Sequence, residues 1–469
     1  MNHKKDYVWG ALSKFIPEGI YLVTTMVLAR MLTPEDFGII GVISIIFTVA
    51  NTMTDAGLGG SLIKEKNLSD IDCSSIFCFN TIISIILYII VFFTANFIES
   101  YYNVYGLANV TRVISLTFVI NSFAMVPKSL LSREIQFEKL FKISLCSVIV
   151  ASVVSIVLAF CGAKVYAIVG YRLVLTFVTA CLAISYSNFH ISFKFSFDSL
   201  KRLLPFGIFT TLSTIVDSVY ENLLAAIFGK TSGMGNTGYF YQAKKTIDAL
   251  QITVTSTIGQ VAFSVLSKIK ENREALDEET LSLFRFVVLF FTPLLIVISV
   301  FSREIVILMY GAQWADSGIY LKLLIYAAIF MVMENLNRTF IKSLGKGQPI
   351  LYVSLIKRTI GILVVFATFY FNPVYLVHAY IVTAFLGFLI NQVAYSHLSR
   401  TSFKRSFKLA CFYMCPNFII LIILNFVELY DLKLFFKLII DTGILTIYYF
   451  VLCKYLHIPV SSILKSIRK

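Results

Sequence analysis

Two adjacent lysines and an aspartate stand inside an apolar stretch of the sequence that is long enough to cross a membrane. The stretch is GYFYQAKKTIDALQITVTSTIGQVAF, residues 238–263, and it contains Lys244, Lys245 and Asp248. A charged side chain at the centre of a bilayer costs about 2.5–3.5 kcal/mol on insertion scales. Ammonium groups at such a position can hold an anionic group and release it again.

Polar residues recur along this stretch at three- and four-residue intervals. They are Tyr241, Lys244, Asp248, Gln251 and Thr255. Residues at this spacing share one face of a helix. A polar face is unfavourable in lipid, so we expect it to face the interior of a helix bundle or a water-filled cavity.

The preceding apolar stretch carries acidic residues at the same spacing. Thr210, Thr214, Asp217 and Glu221 fall on one helical face, and the two carboxylates are one turn apart. Two like charges this close require a cation, a proton or a metal ion nearby. We therefore expect Asp217 and Glu221 to share a proton or bind Na⁺ in one conformation, which would couple an ion to alternating access.

Other apolar stretches contribute further ionisable and polar residues. The candidates are the substrate-binding cations Lys14, Lys244, Lys245 and Arg338; the ion-coupling acids Asp217, Glu221, Asp55 and Asp248; and the lining residues Glu18, Tyr241, Gln251 and Glu334. Arg172, Lys357 and Arg358 are weaker candidates. They lie nearer the ends of their apolar stretches, where a long side chain can extend its charge to the interface.

Each of these charges also has a purely structural interpretation as one half of an ion pair within a helix. The pairs available are Lys244 or Lys245 with Asp248, Glu334 with Arg338, and Lys14 with Glu18. Ionisable residues are rare inside membranes unless they serve a pathway. For the group as a whole we therefore favour a functional role.

The composition predicts an all-α polytopic membrane protein. Of the 469 residues, 58% are hydrophobic and 14% are charged, whereas soluble domains carry about 25% charged residues. The alternating pattern of a membrane β-barrel is absent from the sequence. About 14 transmembrane helices are predicted, near 8–29, 37–60, 75–98, 113–131, 143–161, 165–185, 203–228, 237–262, 284–306, 318–341, 350–371, 374–396, 409–427 and 434–456.

The net charge of +14 comes from cations concentrated in the loops on one side of the predicted bundle. The positive-inside rule then places both termini in the cytoplasm. These loop cations are expected to contact membrane lipid headgroups, and we expect no nucleic-acid partner.

The sequence contains a weak internal repeat with its two copies about 200 residues apart. FGIIG, at the start of the second predicted span, corresponds to TGYFYQ at the start of the eighth. A parallel repeat of six spans predicts two pseudo-symmetric lobes. We expect an N-terminal six-helix lobe over 1–190, a C-terminal six-helix lobe over 191–400, and two additional C-terminal transmembrane helices over 401–469.

No motif indicates catalysis, a metal or a cofactor. The five histidines are scattered without ligand spacing, the sequence has no P-loop, and the cysteines have neither zinc nor redox spacing. In LTPEDFG, Thr33 suits a helix N-cap, Pro34 the first helical position, and Glu35 and Asp36 the positive end of the helix dipole. This acidic pair is therefore predicted to start a helix rather than to catalyse.

Three stretches resemble bacterial polysaccharide flippases of the multidrug/oligosaccharidyl-lipid/polysaccharide exporter superfamily. They are LARMLTPEDFGIIG at 28–41, DAGLGGSLIKEKNLSDID at 55–72 and INSFAMVPKSLLSREIQFEKL at 120–140. The resemblance implies translocation of polyprenyl-diphosphate-linked oligosaccharides across the bacterial inner membrane for O-antigen, lipopolysaccharide, capsule or teichuronic acid. It also implies that the first, second, seventh and eighth spans line a central cavity, with polysaccharide polymerase and glycosyltransferases as partners.

Two other functions stay open on the sequence alone. An ion-coupled antiporter of the multidrug-extrusion type would usually have a more acidic or apolar cavity for cationic drugs. An integral-membrane glycosyltransferase or polymerase would usually need sizeable external loops, whereas the longest outward loops predicted here have about fifteen residues or fewer.

Overall fold

The structure is a computed structural model, and it describes residues 3–55, 58–65, 68–187, 189–269, 272–344, 348–368 and 373–399, with 419–420, 443–444 and 447–449. All regular elements of these residues are helical. They are α1 (His3–Met31), α2 (Pro34–Asp55), α3 (Leu58–Lys64), α4 (Asp70–Tyr102), α5 (Leu107–Arg133), α6 (Phe137–Phe160), α7 (Val165–Tyr186), α8 (Phe197–Thr231), α9 (Gly233–Ile269), α10 (Arg273–Val300), α11 (Ser302–Tyr310), a 3₁₀ turn (Ala312–Trp314), α12 (Ser317–Ser343), α13 (Gln348–Thr368) and α14 (Pro373–Ser399).

The first twelve predicted spans each coincide with one long helix, which confirms the all-α polytopic fold. Short α3 follows α2, and short α11 follows α10. The last two predicted spans, 409–427 and 434–456, lie almost wholly outside the described residues.

Nine of the described helical segments have the length and the apolar composition needed to cross a membrane. The long helices α1, α8 and α9 are not among them, and they carry most of the candidate charges. These three helices have 29, 35 and 37 residues. At about 1.5 Å per residue, each is long enough to cross about 30 Å of hydrocarbon.

The turn between α1 and α2 forms as its residues predict. The amide of Thr33 donates to Oδ2 of Asp36 at 3.1 Å, and the amide of Asp36 donates to Oγ1 of Thr33 at 3.4 Å. This reciprocal pair is the capping arrangement that starts a helix. The prediction that Glu35 and Asp36 begin a helix is confirmed, since both lie in the first turn of α2.

The chain forms two compact units. Unit 1 comprises Met1–Gln242 and Met309–Trp314, and unit 2 comprises Ala243–Leu308 and the described residues of Ala315–Lys469. In unit 1, α5 packs on α4 and α7, α6 packs on α1 and α7, and α2 packs on α8. In unit 2, α12 packs on α10 and α14, and α13 packs on α14. The division into lobes over 1–190 and 191–400 stays a prediction.

The segment Met309–Trp314 belongs to unit 1 because it covers the last carbonyl groups of α1. Nε1 of Trp314 donates to the carbonyl oxygen of Ala29 at 2.7 Å. Nε2 of Gln313 donates to the carbonyl oxygens of Ala29 and Leu32 at 2.7 and 3.1 Å. The last carbonyls of a helix have no partner within the helix, so these side chains satisfy them.

Within unit 1, the start of α2 crosses the start of α9 with the two backbones in contact. A Cβ atom added to Gly38 would lie 1.9 Å from the carbonyl oxygen of Met234, and one added to Gly238 would lie 1.8 Å from that of Pro34. Only glycine permits so close an approach. These contacts join positions related by an offset of 200 residues, which is the spacing of the internal repeat.

Candidate functional site

The candidate residues are divided between the two units. Unit 1 contains Lys14, Glu18, Asp55, Asp217, Glu221 and Tyr241, and unit 2 contains Lys244, Lys245, Asp248, Gln251, Glu334 and Arg338. The side chains of Lys14 and Asp55 lie outside the described residues. The predicted pair of Lys14 with Glu18 therefore stays a prediction.

Lys244 and Asp248 form an ion pair on α9, one of the two pairings with Asp248 that the spacing allows. Nζ of Lys244 lies 3.1 Å from Oδ1 and 2.8 Å from Oδ2 of Asp248. Both side chains are partly exposed, at 15% for Lys244 and 29% for Asp248. A pair of this kind lowers the cost of placing either charge in a membrane, and both groups keep access to a ligand. Lys245 beside them is half-buried.

The polar face of α9 continues toward α12 within unit 2. Gln251 is buried, and its Nε2 lies 3.9 Å from Sδ of Met331 on α12. One turn later, Oγ1 of Thr255 donates to the carbonyl oxygen of Gln251 at 2.7 Å. Gln251 is therefore directed at protein rather than at lipid, as the spacing predicted.

Glu334 on α12 forms an ion pair with Lys357 on α13. The purely structural interpretation had instead offered Arg338, within α12, as the partner of Glu334. Glu334 is directed at α14, where Gly387 leaves the space that the pair occupies: a Cβ atom on Gly387 would lie 2.5 Å from Oε2 of Glu334. Burial strengthens the attraction between the two charges, because little water screens it, and makes the loss of either partner costly.

Lys357 and Arg358 are buried, so the interpretation that they extend to the interface is wrong. The side chain of Lys357 is only 4% exposed, and Arg358 is 8% exposed. Lys357 lies nine residues after Gln348, where α13 begins, which is about 14 Å along the helix.

Two buried amides on α12 and α14 add polar surface to the interior of unit 2. Asn337 and Gln392 are fully buried, and neither side chain has a hydrogen-bond partner among the described residues. Sequence reasoning overlooked Gln392, although the Asn391–Gln392 pair interrupts an otherwise apolar run. Arg338, beside Asn337, is half-buried.

Asp217 and Glu221 lie one turn apart on α8 in unit 1, as predicted. Asp217 is 6% exposed, and Glu221 is half-buried. Burial of a carboxylate this close to a second one favours binding of a proton or a cation. Thr214, on the same face, is exposed, as is Glu18 on α1.

Arg172 on α7 is surrounded by tyrosines of three helices in unit 1. Its guanidinium carbon lies 5.9 Å from the ring centroid of Tyr21 on α1, and that ring packs on Tyr171 at 5.2 Å. The side chain of Tyr241 on α9 also lies near Arg172. No ion pair among the described residues includes Arg172. Sequence reasoning ranked it low because it lies near the end of its apolar stretch.

The chemistry of these groups is binding rather than bond breaking. Ammonium and guanidinium groups hold phosphates through charge-assisted hydrogen bonds, and tyrosine rings stabilise nearby cations. Within the part of the chain that is described, no cluster of three or more His, Cys, Asp or Glu side chains could hold a metal ion. A helical bundle with ionisable groups inside its spans defines a multi-pass membrane protein of the transporter class.

The chain belongs to the polysaccharide biosynthesis protein family, whose model matches residues 27–319. It is similar to the lipopolysaccharide biosynthesis protein WzxC of Escherichia coli strain K12, with 26% identity over 401 residues that cover 83% of this chain and 78% of WzxC. The family predicted from the three sequence stretches is confirmed.

Two solved structures share the fold. The lipid II flippase MurJ, in an inward closed conformation, matches with a TM-score of 0.73 and 14% identity over 96% of this chain and 99% of its own. An inward-facing multidrug resistance transporter of the MATE family matches with a TM-score of 0.65 and 18% identity, over 84% of this chain and 99% of its own. At these identities the likeness shows the fold alone.

Proposed function

We propose that this protein is a flippase that translocates polyprenyl-diphosphate-linked oligosaccharide repeat units across a membrane by alternating access. One observation carries the proposal: in a chain of the polysaccharide biosynthesis family, Lys244 and Lys245 are half-buried inside α9, a helix of membrane-spanning length. Lys244 is paired with Asp248, and an ammonium group can exchange one anionic partner for another. The diphosphate of a lipid-linked oligosaccharide is such a partner.

In this proposal the cations bind the headgroup and the neighbouring acids make the binding reversible. Lys244, Lys245 and Arg338 of unit 2 hold the diphosphate. Asp248 competes with the diphosphate for Lys244, since the two side chains already form an ion pair. The exchange of one anionic partner for another lets the ammonium release the substrate without leaving a bare charge in the membrane. Gln251 and Glu334 of unit 2 line the path.

The same proposal assigns ion coupling to buried carboxylates. Asp217 and Glu221 are the main candidates for binding H⁺ or Na⁺, with Asp55 and Asp248 as further candidates. An ion that binds one conformation more tightly than the other shifts the population toward that conformation. Burial of Asp217 supports this role, because a buried carboxylate gains most from a bound cation or proton.

The setting is the bacterial inner membrane, with both termini in the cytoplasm. Glycosyltransferases would supply the lipid-linked repeat unit, and a polysaccharide polymerase would consume it on the other side. No covalent bond is made or broken, so the activity is transport rather than catalysis.

A multidrug antiporter is the second candidate, because the MATE transporter shares the fold. Cationic drugs favour an acidic or apolar binding site. The lysines of α9 and the tyrosine-bound Arg172 favour an anion instead.

The test compares the two substrate classes in one preparation. Purified protein in liposomes is given a fluorescent polyprenyl-diphosphate oligosaccharide or a fluorescent cationic drug, with an H⁺ or Na⁺ gradient imposed. Protection of the lipid-linked oligosaccharide from an external quencher, with no drug uptake, is the expected result. Drug uptake with no protection of the oligosaccharide would overturn the proposal in favour of the antiporter.

A further inference from the structure

A polar cavity of about 690 Å³ lies in unit 1 among the start of α4, the end of α5 and the segment after α7. All three features lie at or beside loops that are predicted to be cytoplasmic. Its volume falls within the range of sites that bind small molecules. We call it the loop cavity, and its polar lining includes Asp70, Ser74, Arg133, Glu134, His190 and Lys194.

Several polar groups of the loop cavity have no partner among the described residues. The side chains of Asp70, His190 and Lys194 are exposed and form no ion pair or hydrogen bond in the described part of the chain. Ser74 lines the same cavity and is only 4% exposed. The exposed charges keep their donors and acceptors available to a ligand. The cavity is therefore suited to a polar ligand.

The charges of the loop cavity have both signs. Arg133 and Lys194 are cationic, and Arg133 is fixed by donating to the carbonyl oxygens of Leu62 and Glu65. Asp70 and Glu134 are anionic. Two carboxylates would repel a diphosphate or any other purely anionic group. A ligand that carries both a phosphate and an ammonium would satisfy both pairs of charges.

Exposed apolar side chains lie beside the loop cavity. Along the segment after α7, His190 and Lys194 line the cavity, and Phe193 between them is 76% exposed. On α4, Ile71 also lines the cavity and is exposed, and it lies three turns before the exposed Ile82 on the same face of the helix. An apolar surface therefore leads from the cavity along α4.

We infer that the loop cavity binds a phospholipid with a phosphoethanolamine headgroup. The phosphate contacts Arg133 and Lys194, the ammonium contacts Asp70 and Glu134, and the acyl chains lie along Phe193 and Ile71. A primary ammonium donates hydrogen bonds to carboxylates as a lysine does, whereas the trimethylammonium of phosphocholine has no N–H to donate. This site is separate from the lysines of α9 and does not depend on the proposed function.

Native mass spectrometry of the delipidated full-length protein tests this inference. The protein is titrated in detergent with phosphatidylethanolamine, phosphatidylcholine and phosphatidylglycerol that carry identical acyl chains. We expect retention of one phosphatidylethanolamine in preference to the other two lipids. Lys194→Gln removes a charge-assisted hydrogen bond to the phosphate and should weaken retention about tenfold. Lys201→Gln is the matched control, since Lys201 is exposed on the first turns of α8 and does not line the cavity.

A second variant tests the ammonium end of the ligand. Asp70→Asn should reduce the preference for phosphatidylethanolamine over phosphatidylcholine, because both headgroups keep the phosphate and the ammonium loses one of its two carboxylate partners. Monodispersity and the unfolding temperature establish that each variant is folded. Equal retention of the three lipids by the wild type, preferred retention of phosphatidylglycerol, or equal effects of Lys194→Gln and Lys201→Gln would each overturn the inference.

Discussion

Gly38 on α2 and Gly238 on α9 occupy corresponding places in the two halves of the sequence, and each lies against the backbone of the other's helix. A Cβ atom on either would overlap a carbonyl oxygen, that of Met234 in one case and that of Pro34 in the other. The reciprocal contact therefore joins equivalent positions of the weak sequence repeat. It also fixes where α2 and the start of α9 cross in unit 1.

Gly38→Ala and Gly238→Ala should therefore have similar effects. Each adds a methyl group to a contact with no free space, so we expect each to destabilise unit 1 by about 1–3 kcal/mol. The unfolding temperature in detergent, followed by tryptophan fluorescence, measures the effect. Gly19→Ala on α1 is the control, because a Cβ atom there meets nothing within 4 Å. Its effect should be neutral or slightly stabilising. Tolerance of alanine at both crossing positions would show that the helices do not meet as described.

The buried pair of Glu334 and Lys357 predicts strong non-additivity. Glu334→Gln or Lys357→Met alone leaves one charge buried without its partner, which should cost about 3–5 kcal/mol. The double variant removes both charges and should recover much of that loss. Unfolding temperatures of the wild type, both single variants and the double variant form the cycle. Strictly additive losses would mean that the two side chains do not interact.

Asp217→Asn tests the proposed ion coupling. The substitution preserves shape but removes the carboxylate that would bind H⁺ or Na⁺. We expect transport that no longer responds to an imposed ion gradient, with an unchanged unfolding temperature. Asp198→Asn, an exposed position in the first turn of the same helix, is the control. A response to the gradient equal to that of the wild type would exclude Asp217 as a coupling residue.

Local pattern was sufficient to predict the helices and to offer candidates for one ion pair. Apolar runs of membrane-spanning length located twelve helices, and spacing along α9 offered Lys244 or Lys245 as the partner of Asp248, because both features depend on neighbours along one helix. The partner of Glu334 could not be predicted in this way. Lys357 reaches it only because α12, α13 and α14 pack together over Gly387.

Arg172 illustrates the same limit in unit 1. Its position within an apolar run indicated an interfacial side chain. Its environment is instead made by Tyr21 of α1 and Tyr241 of α9, which lie far from it in the sequence. Which charges meet inside a bundle depends on tertiary packing, and no spacing rule within one helix contains that information.

The central claim is that the lysines of α9 bind the anionic headgroup of a lipid-linked oligosaccharide. The most direct measurement is the rate at which liposomes containing the protein move a fluorescent polyprenyl-diphosphate oligosaccharide out of reach of an external quencher. The wild type is compared with Lys244→Ala/Lys245→Ala and with the exposed control Lys142→Ala. We predict rapid protection by the wild type and the control, and a rate at least about tenfold lower for the double variant. Protection by the folded double variant at the wild-type rate would contradict the claim and leave these lysines a structural role.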